Sequence, residues 1–254
     1  MSVFFHRAAP SSKRRPPWQE ERTLHLLGQT VKTKIRVNRR ARRVILRVDP
    51  IGQTLNITSP SKRAIPEAIT FAQSSATWIC KELNNGAVAK PFQDGSTFPF
   101  LGREIVISNE MAARRRTTLD GDRLIVGGTS DHLNRRVVEW LKKEARSNIV
   151  QLSDQYTDAL QKKYRKISIR DTKSRWGSCS SDGTLSFSWR IVLAPRPVFD
   201  YVVAHECAHL VHLNHSKPFW NVVASLGVDA QAASIWFDRN GAALHAWGVP
   251  VSSN

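Results

Sequence analysis

Residues 201–215 read Tyr201-Val202-Val203-Ala204-His205-Glu206-Cys207-Ala208-His209-Leu210-Val211-His212-Leu213-Asn214-His215. On a helix, two histidines four positions apart lie about one turn from each other on one face, so both imidazoles reach a single ion. The glutamate between them sits beside that ion without ligating it, where it can take a proton from a bound water. Tyr201, Val202 and Val203 ahead of the pair are apolar, which embeds the helix in a core. The stretch predicts a metal-binding helix inside a folded domain.

His212 and His215 compete for the third ligand position. A helix running from His205 to His212 rises about 10.5 Å, too far for both to share an ion with His209. Asn214 tolerates the left-handed conformation that ends helices, so a helix stopping near Leu213 returns His215 to the metal. His205, His209 and His215 are therefore the expected ligands of one Zn2+ ion, with His212 beside them or at the surface. Three protein ligands leave one position for water, the mark of a catalytic zinc, and Glu206 becomes the general base. A structural zinc would use cysteine, and Cys80, Cys179 and Cys207 are not placed for it. A metzincin needs a downstream methionine, but Met1 and Met111 both lie upstream; a gluzincin needs a later glutamate, and none follows Glu206. The spacing does not separate zinc from nickel or manganese.

Working outward, Pro195 and Pro197 open the motif helix, with Asp200 expected in its first turn. Before it, residues 174–193 read as a hairpin turning at Asp182-Gly183, and Ile167–Arg170 as a short strand. Val137, Leu141, Ala145, Ile149, Leu152, Tyr156 and Leu160 recur every three or four residues, predicting a long helix across about 132–165. Two short helices are expected around Pro218–Leu226 and Ala230–Asn240. The N-terminal half alternates instead with period two. Strands are expected at Val31–Val37, Val44–Val48 and Leu55–Ile57, with a turn at Asp49-Pro50-Ile51-Gly52, then one helix from Pro66 that stops by Gly86. Further strands are expected at Phe98–Leu101, Glu104–Ser108, Thr117–Leu119 and Arg123–Val126, with Asp120-Gly121 as a hairpin signal. No internal repeat shows. The fold class is α+β: a zincin-like core of long helix, small sheet and His-Glu-x-x-His helix over 131–254, preceded by a basic β-rich region over 30–130 with one helix. Residues 1–29 are expected as a basic disordered tail; the first 19, free of acids, also fit a transit peptide.

The 254 residues carry a net charge of +17. The first 140 hold 24 basic and 12 acidic side chains, densest from Arg36 to Arg47 and again at Arg114–Arg116. This balance favours polyanions, so nucleic-acid association through the basic N-terminal region is one expectation and a solvated charged face the other. No apolar run approaches the roughly 20 residues that span a bilayer, so no membrane partner is expected. Three widely spaced cysteines without a Cys-x-x-Cys pair argue for a reducing compartment, the cytoplasm, with Cys207 a small buried hydrophobe.

Arg175-Trp176-Gly177-Ser178-Cys179, Asn214-His215-Ser216 and Phe219-Trp220, together with His205-Glu206-Cys207-Ala208-His209, closely resemble the YgjP-like metal-dependent hydrolases, relatives of the SprT-like and WLM-type metalloproteases. The similarity runs from about Val31 to the C-terminus and is most specific between Arg175 and Trp220. It implies a zincin-like core with His205, His209 and His215 on zinc and Glu206 as catalytic base. Cys207 stands where the family often has an aliphatic residue.

Chemistry for Arg175–Cys179 does not follow from the residues alone. The segment can form an edge strand that accepts an extended peptide. Arg175 suits an oxyanion, a phosphate or an ion pair; Trp176 and Trp189 read more readily as core. His212, Arg175 and Trp176 are the expected substrate-facing or supporting residues, and His245 either approaches the site or stays at the surface. The leading expectation is a zinc metallopeptidase in which Glu206 activates a zinc-bound water against a peptide carbonyl. The alternatives are a nucleotide phosphoanhydride hydrolase and a nucleic-acid-associated protease acting on DNA-bound proteins. The substrate is thus a protein or peptide, or a nucleotide. An intact Glu206 with three histidines argues against a vestigial binding module.

Overall fold

Phe98, Phe100, Ile105, Ile107, Leu124 and Val126 share one buried core with the long helix that follows them and with the histidine-bearing helix. That sharing decides where the chain divides. The computed structural model describes residues 18–84, 88–111, 116–173 and 175–250. It separates into two compact units, Met1–Gly86 and Ala87–Asn254. The boundary expected near residue 130 is therefore corrected: the strands from 97 onward belong with the second unit because their apolar face is buried there.

In the first unit, β1 (Gln19–Leu26), β2 (Gln29–Val37), β3 (Ile45–Asp49) and β4 (Thr54–Ser59) form one sheet in the order β1-β2-β4-β3. Residues 19–26, expected within a disordered tail over 1–29, are instead a strand paired with β2 along its whole length. Glu20, Glu21 and Arg22 hide this strand from a hydropathy reading, while Leu24 and Leu26 give it an apolar face. Residues 1–17 of the expected tail, and Arg114 and Arg115 of the second basic cluster, lie outside the described residues.

The helix expected after Pro66 is two helices, α1 (Ile65–Ser74) and α2 (Ala76–Asn84). The break falls at Ser74-Ser75. Ser74 Oγ donates to the Phe71 carbonyl at 2.9 Å, the same oxygen that accepts the regular helical bond of the Ser75 N–H at 3.1 Å. Pro66 does sit in the first turn of α1. Ala68, Ala72, Ile79 and Leu83 cover Val31, Ile35, Leu55 and Ile57 on one face of the sheet.

The second unit opens with β5 (Thr97–Phe100), β6 (Arg103–Glu110), β7 (Thr117–Asp120) and β8 (Arg123–Gly127), ordered β5-β6-β8-β7. All four expected strands are present. The topology repeats that of the first sheet: an antiparallel pair, a central parallel pair (β2 with β4, β6 with β8), then a second antiparallel pair. The same dipeptide turns both first hairpins. Leu27-Gly28 has φ of 46° and 78°, and Leu101-Gly102 has 50° and 88°, the paired positive φ of a two-residue hairpin turn. This structural repeat is invisible in the sequence because two residues are too short a signal.

The amphipathic helix α3 (Leu133–Ala159) buries Val137, Leu141, Ala145 and Ile149 as its period requires. The small sheet after it has the order β10 (Gly177–Cys179), β11 (Thr184–Ser188), β9 (Lys166–Arg170). Its hairpin turns at Asp182-Gly183, where Asp182 accepts from the Ser180 hydroxyl at 2.5 Å. Residues 189–193, expected to continue that strand, instead form a fully buried 3₁₀ turn. Arg190 within it is 5% exposed. It donates to Asp171 at 2.8 Å, to the Leu244 carbonyl at 3.2 Å and to the Trp247 carbonyl, fastening the C-terminal segment.

The motif helix α4 (Arg196–Ala208), α5 (Lys217–Ser225) and α6 (Ala230–Leu244) complete the unit. Asp200 is not in the first turn of α4; it pairs with Arg196 one turn before it, at 2.6 Å. Among the described residues no helix is long and apolar enough to cross a membrane.

Candidate metal centre

Helix α4 ends at Ala208, earlier than the stop expected near Leu213, and His209 is its C-cap. The Leu210 and Val211 N–H groups bond three residues back to the Cys207 and Ala208 carbonyls, each at 3.0 Å, and the His212 N–H shares the Ala208 carbonyl at 3.1 Å, a tightened turn that closes the helix. His212 therefore lies in the tightened closing turn and not in a continued α-helix. The early turn carries His215 back toward the helix.

His205, His209 and His215 each offer one ring nitrogen, all within 4.8 Å of one another. The spacing is on the order of two metal–nitrogen bonds of about 2.1 Å. Among the described residues these three form the group of His, Cys, Asp or Glu side chains placed to share an ion. Nε2 of His205 lies 3.0 Å from Nε2 of His215. The other nitrogens of the two helical histidines are engaged. Tyr201 Oη lies 3.3 Å from His205 Nδ1, and His209 Nδ1 donates to the His212 carbonyl at 3.0 Å. Such contacts hold a ring's tautomer and orientation and leave Nε2 free to ligate. His212 enters through its backbone carbonyl and lies outside the nitrogen cluster.

Phe219, fully buried in the first turns of α5, supports all three rings. It stacks on His209 at 4.5 Å between centroids and meets His205 and His215 edge-on at 5.0 and 4.8 Å. Trp220 reaches the same rings from the solvent side, 5.9 Å from His205 and 5.8 Å from His215. Burial, with repulsion from His209 and His215, pushes the His205 pKa down to about 4. Burial also lowers His209, against a smaller upward pull from the His212 carbonyl. Neutral imidazoles with free lone pairs are the donor set a divalent cation requires, so the residues fit a zinc ion.

Glu206 is 6% exposed, and its Oε2 has no hydrogen-bond partner among the described residues. Burial pushes its carboxyl up to about 8, against a smaller downward pull from Arg175. Behind it runs β10, where Gly177 leaves the room that the glutamate side chain fills. The segment Arg175–Cys179, without derivable chemistry in the sequence, is thus the wall of the Glu206 pocket.

Trp176 stacks between Phe237 at 5.1 Å and His245 at 4.6 Å, binding the start of β10 to α6. His245 is accordingly committed to Trp176, away from the histidine cluster. Arg175 is exposed and acts on Glu206 through its charge alone. Cys207 is fully buried, its thiol pushed to about 12, as a small hydrophobe should be. Sequence reasoning gave no role at the site to Tyr201, Phe219 or Gly177, although Phe219 and Gly177 stand in the motifs that carry the resemblance. Tyr201 was legible in one respect, standing one turn before His205 on the same helical face.

Three clustered imidazole nitrogens beside an enclosed carboxyl are the working parts of metal-dependent hydrolases. Comparison with known proteins assigns the family: residues 42–240 match the YgjP-like, metallopeptidase domain family. The match takes in well over half of the chain, and the chain belongs to that family. Among solved structures, the metallopeptidase zymogen of Pyrococcus abyssi, abylysin, is similar at 23% identity, covering 37% of this chain and 92% of that one with a TM-score of 0.32. No curated protein matches the chain.

Proposed function

We propose that this metallohydrolase is a zinc peptidase in which His205, His209 and His215 would hold one ion and Glu206 is the general base. The observation that carries the reading is the buried, unpartnered Glu206 Oε2 on the helix that presents two of the three clustered nitrogens. When bound, zinc polarises a carbonyl and acidifies water. The rest falls to the chain. Glu206 takes the proton of the attacking water at Oε2 and passes it to the departing amine. The Tyr201 hydroxyl and the His212 carbonyl orient two of the imidazoles, and Phe219 fixes all three in place.

β10 supplies the place for substrate. It is the edge of its sheet, paired on one side with β11, and its Gly177 touches Glu206. An extended peptide adding to the open side lays its carbonyls along the pocket wall. Arg175 at the head of the strand faces the charge that develops there. The three free thiols suit the reducing cytoplasm, where we place the protein.

The test is hydrolysis by the zinc-loaded full chain of an unfolded casein-like protein, with nucleoside triphosphates in parallel. We expect peptide cleavage that Glu206→Gln abolishes while the metal is retained. Undiminished cleavage by that variant, or triphosphate hydrolysis in place of peptide cleavage, overturns the reading.

A further inference from the structure

The face of the first sheet opposite α1 and α2 carries a cluster of cations with few acids beside it. α1 and α2 take one side of β1-β2-β4-β3, and strand register determines what stands on the other. Lys32, Lys34 and Arg36 alternate along β2 with the buried Val31, Thr33 and Ile35, so all three project from the uncovered side. Cross-strand pairing sets Thr54, Asn56 and Thr58 of β4 beside them, and Asp49, Arg47 and Ile45 of β3 beyond.

The acids on this face are few and engaged. Glu21 of β1 pairs with Lys34 at 3.2 Å, and Asp49 accepts from the Gly52 N–H at 3.2 Å. Among the described residues no acid lies within salt-bridge distance of Lys32, Arg36 or Arg47. Arg36 Nε donates to Thr58 Oγ1 at 3.0 Å, which holds its guanidinium over β4.

At the end of β2 the chain enters a turn bearing Arg39, Arg40, Arg42 and Arg43, all exposed and likewise without an acid partner among the described residues. Asn38 ties that turn to the sheet: its N–H donates to the Ser59 carbonyl at 2.9 Å, and its Oδ1 accepts from the Arg40 N–H at 3.1 Å. The arginines are therefore carried on ordered backbone next to Arg36.

From this placement we infer that the open face of β2-β4-β3, with the arginine turn at its end, binds the sugar-phosphate backbone of a nucleic-acid strand. Cations gathered this closely repel one another until an anion comes between them. Alternate β2 positions repeat every ~6.8 Å, close to the step between phosphates of an extended strand. Arginine outnumbers lysine here, and its planar fork grips phosphate oxygens in pairs. Asn56, the partly exposed residue of β4 between the charges, supplies a hydrogen bond for a sugar or phosphate oxygen. Ile45 is the large apolar side chain exposed on this face, too little to enter a bilayer, so a lipid surface fits less well.

The test is fluorescence anisotropy of a labelled single strand of about 20 nucleotides with the full chain, titrated with salt. About five neutralised phosphates give a log–log salt slope near −3.5. Replacing Arg39, Arg40, Arg42 and Arg43 by Gln should weaken binding at least tenfold and flatten the slope, and Lys32→Gln with Arg36→Gln should do the same. Glutamine at the exposed Lys162, Lys163 and Lys166 of the other unit should leave binding nearly unchanged. Equal weakening by that control set overturns the assignment of the face. So does tighter binding to phosphatidylserine vesicles or polyglutamate than to the oligonucleotide. These readings involve no metal or turnover, so they fail or hold separately from the peptidase proposal.

Discussion

Gly177 lies directly against Glu206: a β-carbon at position 177 would stand 2.5 Å from both Cγ and Oε1 of the glutamate. Carbon and oxygen do not approach that closely, so any larger residue displaces the carboxyl or the strand. Gly177→Ala should therefore lower kcat/KM by about 100-fold, a displaced general base being worth 10²–10⁴. Overpacking should cost about 1–3 kcal/mol of stability. Kinetics, metal content and a denaturation curve measured together check this; wild-type kcat/KM in a folded Gly177→Ala protein contradicts it.

The ligand set separates His215 from His212. His215→Ala removes one of the three clustered nitrogens and should release the metal on dialysis. His212 serves through its backbone carbonyl, which alanine retains, so His212→Ala should keep metal and most activity. Metal analysis of the two variants decides the matter, and the reverse pattern would exchange their roles.

Tyr201 is the orienting partner of His205. Without its hydroxyl the buried Nδ1 loses its contact and the ring its anchor. Tyr201→Phe should weaken metal affinity about 10–100-fold, measured by competition with a chromogenic chelator, with little loss of fold. Affinity equal to wild type would show that Phe219 alone fixes the ring.

Arg190 should be a stability residue with a signature in acid. Burial by itself would raise the Asp171 carboxyl, but the hydrogen bond and charge of Arg190 hold it below its ordinary 3.8. A carboxylate depressed in the folded state contributes stability above its unfolded pKa and loses it as pH falls through the folded one. That loss belongs below about pH 4. Arg190→Met leaves the Leu244 and Trp247 carbonyls without their donor and should cost about 3 kcal/mol at neutral pH. It should also flatten the acid limb. Urea denaturation at pH 7 and across the acid range reads both.

The elements with strong periodicity were legible: α3 from its three- and four-residue recurrence, β5–β8 from alternation, the β10–β11 turn from Asp182-Gly183. β1 was not, because its charged residues mask a strand at the edge of a sheet. Neither was the break between α1 and α2, which falls at Ser75 with no glycine or proline to mark it.

In the site, spacing alone placed His205, Glu206 and His209 within one turn of each other, since helical geometry is local and four residues make one turn. It also brought His215 into consideration. Tertiary structure decided the rest. Ending α4 at Ala208 turns His215 inward and leaves His212 only its carbonyl. Packing of β10 on α4 turns a segment without evident chemistry into the wall that encloses Glu206. These are contacts between residues far apart in the chain, and no periodicity encodes them. Only the folded core sets how closely Gly177 and Glu206 approach.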